Sequence, residues 1–143
     1  GRPITVVSEI GVRLPASLTS SGRAMLSHLS AAQIRALFPN SHAFVDRTGK
    51  GPTNLAQLKE LLAKERTQGY ASESGSVTLG HSSVAVAVFY HLGEPIAAIN
   101  IVYRDSTINR SDQQVLVDVV KDSARDLTVR LGGRVPSSIK DRP

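Results

Sequence analysis

The sequence predicts an α+β fold, a mostly antiparallel sheet with helices packed on it. Three observations lead there. Residues 82–91 and 95–103 are two strand-like runs joined by a short turn, Leu92-Gly93-Glu94, which reads as a hairpin. Residues 54–69 carry apolar residues at helical spacing between clear start and stop signals. Residues 111–131 repeat that pattern over a longer span after the hairpin. The chain has 143 residues, 41% of them hydrophobic and 20% charged, which fits one domain with a real core.

Residues 3–9 alternate loosely and read as a strand, and Gly11 to Pro15 as a loop. A helix is expected from about Ser20 to Leu29, with Ala24, Met25, Leu26 and Leu29 apolar. Its first turn, Thr19-Ser20-Ser21-Gly22, is unusual, because one small hydroxyl is enough to cap a helix. A second helix starts after Ser30, where Ser30 and Gln33 make a capping box and Ile34, Leu37 and Phe38 give an apolar face. Pro39-Asn40-Ser41 stops it; residues 43–46 read as a short strand and Arg47 to Thr53 as a loop.

The clearest helix opens with Asn54 and Gln57 and carries Leu55, Leu58, Leu61 and Leu62 as its stripe. Glu60 and Lys64 stand at i,i+4, and Gly69 ends the helix. In the hairpin, Val84, Val86 and Val88 alternate with Ala85, Ala87 and Phe89, so both faces are apolar. That pattern suits a central strand covered on both sides. The last helix is expected from Ser111, with Gln114 completing a capping box. Its expected buried face is Leu116, Val119, Val120, Ser123, Leu127 and Leu131, and Gly132-Gly133 closes it. Residues 1–133 form the expected single domain, and residues 134–143 a flexible basic tail.

Composition excludes several functions. With no cysteine there are no disulfides, thiolate metal sites or cysteine nucleophiles. His28, His42, His81 and His91 show no metal-ligating spacing, and no G-x-S-x-G elbow occurs, so no enzyme and no cofactor are expected. No apolar run approaches the ~20 residues that span a membrane, and no signal peptide is visible, so a cytoplasmic protein is expected. The chain lacks a starting methionine, and the expectation is a fragment. Of the net charge of +5, residues 1–13 hold +1 and residues 134–143 hold +2, which leaves +2 for the body. Aromatics are 4%, and the basic residues are interspersed with acids. A nucleic-acid footprint needs a basic stripe, so direct DNA contact by this chain is not expected.

Four stretches carry a family resemblance. LPASLTSSGRAML resembles a "LPxHATAxGKALL" pattern, and LAQLKELLAKERTQGYASE resembles a helix ending in "RxxGYAxD". GHSSVAVAVFYHLGEPIAAINI resembles "GVxCIAAPVxDxxGxVVAALSI", and INRSDQQVLVDVVKDSARDLTVRLG resembles the same family's terminal helix. In this order they are similar to the effector-binding domain of IclR-type bacterial transcriptional regulators. The resemblance implies a GAF-like fold, a curved antiparallel sheet with helices on both sides and a small-molecule pocket on one face. It also implies an upstream winged helix-turn-helix domain that contacts DNA, a homodimer or homotetramer, and a role as repressor or activator.

The same resemblance gives the unusual first turn a purpose. The first N–H groups of a helix have no intrahelical partner and carry partial positive charge, which suits an anion. Thr19 caps, Ser20 and Ser21 offer N–H groups and hydroxyls to a carboxylate, and Gly22 allows a strand to come close. Glu73 stands where the family has an acid facing the ligand, and Ser83 where it usually has cysteine. Asn100 lies within the apolar run IAAINIVY, and a buried amide needs a partner. His81 stands where a small aliphatic residue is usual, Val102 where serine or glycine is common, Ser17 where histidine and Arg23 where lysine. Val102, grouped with Met25 and Val84, suits an aromatic or larger organic acid. The alternative is a structural oligomerisation module whose pocket is filled by its own side chains.

Overall fold

Short local signals set the helices of this computed structural model, which describes residues 10–136. Helix α1 spans Ser20–Leu26, capped by Thr19, whose hydroxyl accepts from the Gly22 N–H. Helix α2 spans Ala31–Leu37 behind the full Ser30–Gln33 capping box. Helix α3 spans Leu55–Gln68 between the Asn54 cap and Gly69, whose φ of 82° is the left-handed conformation a C-cap glycine supplies. Helix α4 spans Arg110–Arg130.

Strands β1 (Ala71–Ser74), β2 (His81–Phe89) and β3 (Pro95–Arg104) form an antiparallel sheet in the order β1-β2-β3. The register pairs Glu73 with Ser83 and Ser83 with Val102. Because side chains alternate, Ala71, Ala85, Ala87 and Phe89 share one face, where Ala24 of α1 packs on them. Val84 turns to the other face and packs on Val117 and Val120 of α4. A third cluster, Leu26, Ile34, Phe38, Leu58 and Leu62, joins α1, α2 and α3. The α+β expectation, with helices on both faces of a central β2, describes this arrangement.

Several elements differ from the sequence reading. The strand expected at residues 3–9 and most of the basic tail lie outside the described residues. Helix α1 ends at Leu26 rather than Leu29, as residues 27–29 turn toward the Ser30 cap. Residues 43–46 form no strand: Ser41–Ala43 is a 3-10 turn capped by Asn40, and Phe44 packs on Phe38 at 5.1 Å between ring centres. Leu37 is exposed, so the buried face of α2 is Ile34 and Phe38.

Helix α4 starts one residue before Ser111, because Asn109 is the cap and accepts from the Asp112 N–H at 2.9 Å. Its buried line is Val117, Val120, Ala124 and Thr128. Val119, Ser123 and Leu131, expected inside, are exposed. Thr128 explains part of this rotation: its hydroxyl accepts the Phe89 N–H at the end of β2, at 3.1 Å. At the helix end Gly133 lies against the Phe89 carbonyl, 2.0 Å from where a Cβ would sit.

Candidate ligand-binding site

On the α1 face of the sheet lies a cavity of about 330 Å³. Thr19, Ser20 and Ser21 enter it from the first turn of α1, and Glu73 from β1. His81 and Ser83 come from β2, and Asn100 and Val102 from β3. Val12, Leu14, Val77 and Thr78 close the sides. Eight of the nine residues expected from the sequence thus meet around one space.

Gly22 is the exception. Its missing side chain makes room for Ala16, whose carbonyl oxygen is 2.4 Å from a Cβ position, and not for a strand. The glycine tightens the turn that presents Ser20 and Ser21.

A hydrogen-bonded chain forms one wall. Ser20 Oγ and Ser83 Oγ are 2.6 Å apart, and the Ser83 hydroxyl donates to Glu73 Oε1 at 3.1 Å. Glu73 Oε2 accepts the Ser76 N–H at 3.0 Å. All four residues are buried. Two expectations change as a result. The Ser20 hydroxyl is committed to Ser83, so Ser21, half-buried on the same turn, carries the accessible one. Glu73 spends both oxygens on the protein, so it anchors the wall.

Asn100 is exposed rather than buried, and Val102 is 50% exposed, because open cavity and not a packed side chain lies over them. Of the residues grouped with Val102, Val84 faces α4 across the sheet, and Met25 is not part of the lining. The apolar surface comes from Val12, Leu14, Val77 and Val102 instead.

Sequence reasoning missed the pair that fixes these walls together. Arg23 and Glu65 are buried, with Nε 2.9 Å from Oε1. The Arg23 guanidinium also donates to the carbonyls of Ser17 at 3.1 Å and Leu18 at 3.2 Å, and to that of Ser72. One side chain thus ties the turn before α1 to β1, next to Glu73. Burial pushes the Glu65 carboxyl above its ordinary range, while the Arg23 charge and hydrogen bond pull it back. Glu65 Oε2 is the one buried side-chain nitrogen or oxygen without a hydrogen-bond partner among the described residues. The available signal was Arg23 inside an apolar helical pattern, where a charge needs a partner.

Among the described residues no group of three His, Cys, Asp or Glu is placed to hold a metal ion. None of their helices is long and apolar enough to cross a membrane.

Residues 2–129 match the family described as bacterial transcriptional regulator IclR, C-terminal. The chain belongs to the IclR family. It is 32% identical over 128 residues to the acetate operon repressor of Salmonella typhimurium, covering 88% of this chain and 46% of that protein. The transcriptional repressor IclR of Escherichia coli gives the same identity and coverage. This family member therefore spans about half the length of the curated relatives it matches. Their names are those of repressors and regulators, not of enzymes.

Among solved structures, the Agobacterium tumefaciens repressor BlcR is 30% identical, with a TM-score of 0.82 over 87% of this chain and 51% of its own. The inducer-binding domain of PobR from Acinetobacter, a double mutant solved with 3-hydroxybenzoic acid, is 27% identical. Its TM-score is 0.72 over 84% of this chain and 69% of its own. The IclR-family C-terminal fold is GAF-like, and this chain has it.

Proposed function

We propose that this chain is the sensing half of an IclR-type regulator and takes a small organic acid in the α1-face cavity. The observation that carries the reading is the convergence of the α1 first turn with Ser83, Asn100, Val102 and His81 around about 330 Å³. The effector carboxylate meets the N–H groups and the hydroxyl at Ser21, beside Thr19. Its apolar body lies along Val12, Leu14, Val77 and Val102, and Asn100 and His81 meet polar substituents. The bound acid of the PobR domain supports an aromatic or similar ligand.

Ligand acts by binding one arrangement of the assembly better than another, which changes operator binding by an upstream winged helix-turn-helix domain. The regulator works in the cytoplasm as a homodimer or homotetramer. Exposed Val115, Val119 and Val129, on one side of α4 by helical spacing, support association of copies.

The test is thermal unfolding of the chain against acetate, benzoate and 3-hydroxybenzoate. A ligand at 100 times its dissociation constant adds about 2.7 kcal/mol, a rise in Tm of roughly 5 to 10 °C. Ser21→Asp, which sets a carboxylate where the ligand's would sit, abolishes the rise while the protein stays folded. Replacing Ser20 as well is the wrong experiment, since Ser20→Asp buries a charge beside Ser83 and Glu73. A rise that survives Ser21→Asp sinks the proposed anion position.

A further inference from the structure

A second cavity, of about 420 Å³, opens on the opposite face of the same strands, where they meet the start of α4. Strand alternation separates the two: Ser83 and Glu73 turn toward α1, while their neighbours Ser82, Ser72 and Ser74 turn toward α4. The far wall is built from Tyr103, Asp105, Asn109, Arg110 and Gln113, with Ile108 as its aliphatic member.

This wall is held by its own hydrogen bonds. Ser82 Oγ donates to Asp105 Oδ1 at 2.5 Å, and the Asp105 N–H donates to the Gly80 carbonyl at 3.1 Å. Asn109 Oδ1 caps α4, which leaves its amide N–H groups for the cavity. Burial pushes the Tyr103 phenol upward, and hydrogen bonds with Gln113 and Ser82 oppose that push. Tyr103, Ser82 and Asp105 therefore form one connected polar surface.

We propose that this cavity binds a small neutral polyol or monosaccharide. The Asn109 amide and the Arg110 guanidinium each carry two or more N–H donors, and Asp105 and Gln113 keep polar capacity beyond the single bonds they make within the wall, a set suited to neighbouring hydroxyls. Around them Ser72, Ser74 and Tyr103 add single hydroxyls. The Tyr103 ring and Ile108 offer apolar surface for the C–H face of such a ligand. Asp105 and Arg110 balance in charge, and Glu73, which also borders the space, spends its carboxylate on Ser83 and Ser76. An organic acid gains no net attraction here and meets Asp105, which sets this site apart from the first cavity. The volume lies within the range of about 300 to 1,000 Å³ usual for small-molecule sites.

The experiment is an amide NMR titration of the 143-residue chain with D-glucose, D-xylose, myo-inositol and sorbitol, each to tens of millimolar. The proposal expects saturable shifts at Asp105, Asn109 and Gln113 with at least one of these probes. Gln113→Leu and Arg110→Ala, both in the cavity wall at the start of α4, each weaken that binding about tenfold, the loss of one good hydrogen bond. Absence of saturable shifts with all four probes overturns the proposal. So does binding that is unchanged in both variants, or acetate and benzoate moving these same amides. These outcomes are read at residues that do not line the first cavity, so they do not depend on the organic-acid reading.

Discussion

Replacing Arg23 with methionine isolates the buried pair that joins the cavity walls. Arg23 is 2% exposed and Glu65 3%, so the substitution leaves a carboxylate with neither water nor a cation. Breaking one side of such a pair costs about 3–5 kcal/mol. In a domain of this size that lowers Tm by roughly 10–15 °C. The pH dependence gives a second readout. Burial raises the folded-state pKa of Glu65, so the native state holds its proton more tightly than the unfolded chain does. Its contribution to stability is then fullest below the unfolded pKa and is lost as pH rises through the folded pKa. Arg23 supplies the two largest opposing effects, so its removal raises the folded value further. The Tm gap between wild type and Arg23→Met is therefore widest at pH 7 and narrows toward pH 5. Adding Glu65→Leu recovers part of the loss, while the carbonyls of Ser17, Leu18 and Ser72 remain without their donor. Thermal unfolding by circular dichroism measures all three. A Tm unchanged at pH 7, or a gap that widens in acid, refutes the reasoning.

Two further predictions concern the frame around the site. Asn109→Ala costs about 1 kcal/mol through loss of the α4 cap, while Ser111→Ala costs only a few tenths; urea unfolding separates them, and the reverse order places the cap at Ser111. Gly133→Ala sets a methyl 2.0 Å from the Phe89 carbonyl and destabilises by about 1–3 kcal/mol, visible in the same assay, whereas an unchanged midpoint means the α4 end is not fixed there.

Local signals were legible and distant ones were not. Thr19, Ser30 and Asn54 each announce a helix start within three residues of the N–H they cap, and all three do so in the structure. Ser111 with Gln114 matches the same rule, yet Asn109 caps α4, because two overlapping starts compete and sequence alone does not rank them. The burial of α4 depends on how it is turned against β2, and a tertiary bond from Phe89 to Thr128 accompanies that turn. Valine at position 119 gives no hint of this. Arg23 and Glu65 lie 42 residues apart, so neither helix's pattern reveals their pairing. The cavity lining was legible through family resemblance to quoted motifs, whereas the Ser20–Ser83–Glu73 chain, which decides which hydroxyl is accessible, required the register of β1 on β2.

The most direct test of the central claim is to locate the acid on the protein. An amide NMR titration with 3-hydroxybenzoate, benzoate and acetate is predicted to shift Ser20, Ser21, Ser83 and Val102 together, with one dissociation constant. Saturable shifts that fall elsewhere while these four stay still, or no saturable shift with any of the three acids, contradict the account.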